Sequence, residues 1–337
     1  MTPLLLPAAF RSGQFLVRLV LGTLSLLALA PCVQNSPAAS EVSSGNPAFP
    51  MLRFGDVVAF IGGENVAAQK ESGHLESILS LRFPGVTFRN LGWEGDTVFA
   101  QPRDVGFPDL LASLKSARAT VLVAQFGRTE ALGGGDVKEF ARSYAKLLKA
   151  CSAAAPKLVL VAPPPYENGG GLLPDLSARN TNLAAYVEAI HNLAREHQLP
   201  VVDLFAEFDG LNHREQRLTG NGLQLTTRGQ GFIALAFARQ MGLSKLAEKA
   251  GEPAQNGAWP DVRMEQLRQQ ILAKDTLWFN YYRPQNWAFL GGDRVSQPSS
   301  RDHLNPAIRW FPSEMEKFIP LIHEKEQGIE KLASSLR

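Results

Sequence analysis

The feature that most limits what this chain can fold into is a rhythm of short, continuously apolar runs alternating with longer segments in which apolar residues recur at helical spacing. The runs are Val57 to Ile61, Val86 to Leu91, Thr120 to Phe126, Lys157 to Ala162 and Val201 to Leu204. They are too short for buried helices, and they lack the alternation of a strand with one wet face. Strands that are apolar on both sides must be covered on both sides. The helical segments between them, Val66 to Leu81, Phe107 to Leu114, Val137 to Ala150, Leu183 to Glu196 and Gly229 to Met241, are placed to supply that cover. The pattern predicts an α/β chain, a three-layer α/β/α sandwich around a mostly parallel central sheet. In such a sheet the ligand crevice lies beyond the carboxyl ends of the strands.

Charge narrows the partners. With 34 basic and 32 acidic side chains the formal net charge is +2, and no basic stripe marks a nucleic-acid surface. No nucleic-acid partner is expected. The two cysteines, Cys32 and Cys151, form no disulfide framework, because the first lies in a leader-like segment. In that segment Arg11 and Arg18 precede the apolar core LVLGTLSLLALA, Leu19 to Ala30. Such a core suits an export signal better than a full membrane span, which needs about 20 apolar residues. Cleavage is expected near Ala30 or within Ser36 to Ser40, and Cys32 after LAP is similar to a lipoprotein box interrupted by Pro31. The expected product is periplasmic or extracellular, with membrane association only through an uncleaved or lipidated N-terminus. The organisation reads as a signal or anchor over 1–32, a Ser/Pro/Asn-rich linker over 33–52, a folded domain over 53–250, and a helical, aromatic extension packing on it over 251–337.

Four loops after apolar runs carry polar residues in a recognisable order. They are VVAFIGGEN with Gly62, Gly63 and Glu64; NLGWEGDT with Asn90, Gly92, Gly95 and Asp96; Gly127, Arg128, Thr129 and Glu130; and NGLQ with Asn221 and Gln224. These segments resemble the sequence blocks of the SGNH (GDSL-type) hydrolases over roughly Val57 to Gly242. Together with FRNLGWEGDTV, FGRTEAL and YRPQNWAFL they look like an exported GDSL-like subgroup from Planctomycetes and Verrucomicrobia. The resemblance implies the SGNH-hydrolase, flavodoxin-like fold. It also implies that Glu64, Gly95, Thr129 and Gln224 stand at the catalytic positions, with Asp96, Arg128, Glu130 and Asn221 as binding residues around them.

Here the sequence departs from the family. The block-one serine is matched by Glu64 and the block-four histidine by Gln224. A carboxamide is no base near neutral pH. A carboxylate at the serine position repels a developing oxyanion and favours a sugar hydroxyl, an amine or a metal. Thr129 stands where the resemblance expects an asparagine oxyanion donor, with a shorter reach. Glu64, Asp96 and Glu130 offer a carboxylate-driven alternative. Each has a plainer role as a loop cap or an ion pair with Arg128 or Arg103.

The histidines offer no obvious replacement base. His191 and His197 belong to a helix, His213 precedes block four, and Asp302-His303 reads as a turn unless it folds over the cleft. There is no zinc spacing, P-loop or dinucleotide fingerprint, so no cofactor or metal is expected. The aromatic segment Trp278 to Gly292 is either packed on the domain or a wall of a ligand cleft. The reading is a hydrolase-like exported protein binding carbohydrate or acylated glycan. The alternatives are an esterase with non-standard residues or a structural subunit with an envelope partner.

Overall fold

The apolar runs become the inner layer. A computed structural model describes residues 49–103, 107–209, 217–284, 304–305, 307 and 314–337. Among these, β1 (Val57–Gly62), β2 (Thr87–Asn90), β3 (Val121–Gln125), β4 (Lys157–Ala162) and β5 (Val201–Asp203) form one parallel sheet in the order β2-β1-β3-β4-β5. Alternate residues along each strand face opposite helical layers. Val58, Phe60, Val121, Val123, Val159 and Val161 pack on one side, Ala59, Ile61, Leu122, Ala124 and Leu160 on the other, and all are buried.

The first layer contains α2 (His74–Arg82), α8 (Thr227–Gln240) and α9 (Ser244–Ala250); the opposite one contains α3 (Leu110–Ser116), α5 (Val137–Ser152) and α6 (Asn180–His197). Short helices α1 (Glu64–Ala67), α4 (Arg128–Gly133) and α7 (Leu204–Phe208) follow β1, β3 and β5 directly. The sequence-predicted three-layer sandwich is the observed one. In this strand order the chain leaves β1 toward β2 on one side and leaves β3 toward β4 on the other. The loops after β1 and β3 therefore diverge and open a crevice between them.

The expected helix over Val66 to Leu81 is instead α1, a 3₁₀ turn (Ala68–Glu71) and α2. The break is at Gly73, whose φ of 67° is left-handed and where an added Cβ would crowd Arg268 and Ile271 at 3.3 Å.

Those two residues belong to α10 (Val262–Tyr282), which packs with α11 (Phe318–Leu336) against α2. Buried Lys274 of α10 binds Glu76 Oε2 at 2.6 Å and Asp275 Oδ1 at 2.7 Å, and Arg89 binds Glu326 of α11 at 2.6 Å. Along one face of α10, Lys274 Nζ donates to Phe88 O at 3.4 Å, Trp278 Nε1 to Asn90 O at 2.9 Å and Tyr282 Oη to Leu91 O at 3.4 Å. That i, i+4, i+8 spacing tracks β2, the edge strand of the sheet. Of the aromatic segment, Trp278 to Tyr282 are thus the end of α10, while 285–292 lie outside the described residues, as do the leader and Trp287. No helix among the described residues is long and apolar enough to cross a membrane.

Candidate active site cleft

The loop after β1 carries Glu64. At Gly62, φ is 153° and an added Cβ would lie 2.3 Å from the carbonyl oxygen of Gln125, so a side chain there would push β1 and β3 apart. At Gly63 a Cβ would lie 2.9 Å from Asp96 O, which is how the block-two loop comes close. Gly63 O accepts from Val66 N and Ala67 N and starts α1, placing Glu64 at its first position.

Glu64, Asn65, Asp96, Arg128, Thr129 and Glu130 line one cleft, together with Gln125, Phe126, Pro163 and Leu223. The cleft has an empty volume of about 380 Å³ counted out to open solvent. Gln224 approaches from block four. Its Nε2 donates to Glu64 Oε1 at 2.7 Å, and its own Oε1 accepts from Asn221 Nδ2 at 3.0 Å. The Asn221 Oδ1 accepts from Leu223 N and Gln224 N, closing the tight turn that aims Gln224 at Glu64. The result is a directed chain, Asn221 to Gln224 to Glu64, in which every proton is held by an amide.

The neighbouring acids are committed. Asp96 is buried and held by Arg103 through two bonds, Nη1 to Oδ1 at 2.6 Å and Nη2 to Oδ2 at 3.0 Å. Burial pushes its carboxyl above the ordinary range, while the Arg103 guanidinium works against that shift. Glu130 accepts from Val98 N and Gly127 N, both at 2.8 Å, as the cap of α4; burial raises its carboxyl while these bonds oppose it. The expected pairing of an acid with Arg103 is therefore found at Asp96, whereas Arg128 forms no ion pair among the described residues.

Arg128 instead donates to three neutral acceptors: Asn65 Oδ1 at 3.1 Å, Leu223 O at 2.7 Å and Pro165 O at 3.1 Å. Burial lowers its pKa to about 10. Thr129 is exposed at the rim. Gly95, placed by resemblance in the oxyanion pocket, is exposed in the turn closed by Asp96 N to Trp93 O at 2.9 Å, and it is not among the cleft's lining residues. The block-two asparagine is structural: Asn90 Nδ2 donates to Val66 O and its Oδ1 accepts from Gly92 N.

Trp93 does not fill the cleft. It is packed against Phe107 and Tyr282, with the Arg103 and Arg283 guanidinium groups over its ring at 4.3 and 3.7 Å. Arg283 also binds Glu94 at 2.7 Å, so the end of α10 clamps the block-two loop. No histidine among the described residues lines the cleft; His191 is bonded to Asp203 at 2.7 Å, and His213, Asp302 and His303 lie outside the described residues. Among the described residues no group of three or more His, Cys, Asp or Glu side chains is arranged to hold a metal ion.

A family model described as the GDSL-like lipase/acylhydrolase family matches residues 54–231, more than half of the chain. The chain belongs to this family. The match contains all four loops of the cleft and ends before α10 and α11. LAE5, an alpha/beta hydrolase enzyme from the metagenome of Lake Arreo, is 17% identical with a TM-score of 0.45, covering 57% of this chain and 98% of its own. Axe2, an acetylxylan esterase from Geobacillus stearothermophilus, is 16% identical with a TM-score of 0.45, covering 57% and 96%. BT4096, a gut microbial diltiazem-metabolizing enzyme, is 17% identical with a TM-score of 0.43, covering 58% and 49%. No curated protein matches this GDSL-like sequence.

Sequence reasoning reached Glu64, Gln224, Asn221 and Arg128, but it passed over Gln125, Asn65 and Leu223 in the cleft. A signal for Gln125 was present: it is the one polar residue in the run VLVAQF.

Proposed function

We propose that this GDSL-like protein is an exported binder of carbohydrate or acylated glycan that has exchanged the family's serine relay for a hydrogen-bonding site. The observation that carries the reading is the 2.7 Å bond from Gln224 Nε2 to Glu64 Oε1. A serine relay needs a base that takes a proton from the nucleophile and returns it to the leaving group. Gln224 can only donate at this contact, and Glu64 Oε1 is occupied as its acceptor. An oxyanion forming above Glu64 would meet like charge, whereas a ligand hydroxyl would find a fixed acceptor. Asp96 and Glu130, tied to Arg103 and to backbone N–H groups, are poorly placed to shuttle protons instead.

The export reading rests on the Leu19 to Ala30 core. The test is turnover by the purified protein of short-chain aryl esters and acetylated sugars, beside calorimetric binding of deacetylated and acetylated oligosaccharides. The expected result is saturable oligosaccharide binding that Glu64→Ala weakens, with no ester turnover above buffer. Ester turnover abolished by Glu64→Ala would replace this reading with a hydrolase that uses non-standard residues.

A further inference from the structure

Where α10 meets the sheet, the charges do not balance. Three carboxylates, Glu76 of α2, Asp275 of α10 and Glu326 of α11, face two cations, Lys274 of α10 and Arg89 of β2, through contacts of 2.6 to 2.7 Å. Lys274 and Asp275 are buried, and the Glu76 side chain is 12% exposed. One negative charge is left over. A carboxyl buried without its own cation is more stable with a proton than without one.

The charged groups on the surrounding elements do not supply the missing cation. On α2, His74 borders the same cavity as Glu76, but burial lowers its pKa to about 4 and it stays neutral. On α10, Arg268 is held by Glu265 at 2.8 and 2.6 Å and donates to Ser72 O at 2.9 Å. From the 3₁₀ turn, Lys70 lies over the Phe279 ring at 4.0 Å and reaches Glu94 at 3.6 Å, while Glu71 is exposed. On α11, Arg337 binds Glu330 at 3.0 Å, and the exposed His323, charged only when protonated, lies 3.9 Å from Glu326.

Burial pushes the Glu76 carboxyl upward; Lys274 opposes the shift, and the charge of Asp275 adds to it. The proton also has a route. A cavity with an empty volume of about 480 Å³, counted out to open solvent, is lined by both Glu76 and Asp275. What the proton holds together reaches the functional cleft: the end of α10 carries Arg283, which binds Glu94 at 2.7 Å and lies over the Trp93 ring at 3.7 Å, beside Asp96 in the cleft wall.

We propose that the proton held by the Glu76–Asp275 pair is a latch: while it is bound, α10 stays fastened to α2 and β2, and when it leaves, α10 opens more often and releases the block-two loop held by Arg283. The sign follows from linkage. A carboxyl that holds its proton more tightly when docked than when free favours docking at low pH, and that contribution is lost as pH rises through the docked value.

Amide hydrogen exchange of the full chain, read by mass spectrometry at pH 5.5 and pH 8.5 and corrected for the intrinsic rate at each pH, tests the latch. Peptides from α10 are expected to open at least about tenfold more often at the higher pH, while β3 and β4 keep their protection. Glu76→Gln keeps an acceptor for Lys274 and carries no charge, so its α10 should be protected equally at both pH values. The comparison of α10 with β3 is made within the wild type and does not depend on how the variant folds. Equal protection of wild-type α10 at both pH values overturns the latch. So does a loss shared equally by α10 and β3, or a Glu76→Gln protein with an undiminished response to pH.

Discussion

Lys274→Met tests how α10 is fastened to the sheet. Lys274 is 1% exposed and neutralises Glu76 and Asp275 at 2.6 and 2.7 Å, with Arg89, itself paired to Glu326, as the other cation facing the cluster. Methionine fills the stem's volume and removes the charge, leaving two buried carboxylates with one shared cation. Breaking a buried pair in this way costs about 3–5 kcal/mol, which for a chain of this size lowers the melting temperature by roughly 10 °C.

The pH dependence gives the prediction a sign. Burial pushes Glu76 up to about 7 even with Lys274 present, and Asp275 is raised as well. A carboxyl raised in the folded state favours folding fully below its unfolded pKa and loses that contribution as pH rises through the folded value. Removing the lysine raises both carboxyls further. The cost of Lys274→Met should therefore stay small up to about pH 7, where native Glu76 still holds its proton, and grow as pH rises above that value. Urea unfolding at a series of pH values measures it. Adding Glu76→Leu and Asp275→Leu should return most of the loss, since a cluster replaced whole by apolar groups is close to neutral. A cost that does not change with pH, or no rescue by the triple variant, would refute the argument.

Gly62→Ala should destabilise by at least about 2 kcal/mol, because the new Cβ would lie 2.3 Å from Gln125 O and the carbonyl belongs to the neighbouring strand; chemical denaturation reads it directly. The pair His191–Asp203 is partly exposed, so His191→Asn should cost under about 1 kcal/mol. That cost should be present below pH 6.5 and vanish as pH rises past the folded value, because Asp203 raises His191 above its usual range; it is checked by melting at pH 5.5 and pH 9.

The strands were legible because burial on both faces writes itself as unbroken apolar runs; Thr120 to Phe126 contains β3 and overruns it by one residue at each end. The helix expected over Val66 to Leu81 was not legible as three pieces. Its break at Gly73 is set by Arg268 and Ile271, almost two hundred residues further along the chain. At the site, the order of the loops announced Glu64 and Gln224 as neighbours, and their bond joins residues 160 positions apart. What could not be read was the division of labour among the acids. Whether Asp96 or Glu130 is free or committed depends on Arg103 and on the N–H groups of Val98 and Gly127, and pattern alone does not place these. Gly95 matches its motif and lies exposed in the turn between Trp93 and Asp96, an exposure that the motif does not announce.

The ladder of Lys274, Trp278 and Tyr282 along β2 has a consequence for the state of the protein outside its fold. An edge strand offers unsatisfied carbonyls to any other strand that drifts past, and this is how sheets of separate molecules join. Here the carbonyls of Phe88 and Asn90 are already taken by side chains of a helix that cannot continue the sheet. The segment after the family domain thus acts as a guard against self-association, and a truncation before α10 would leave β2 as a template for aggregation.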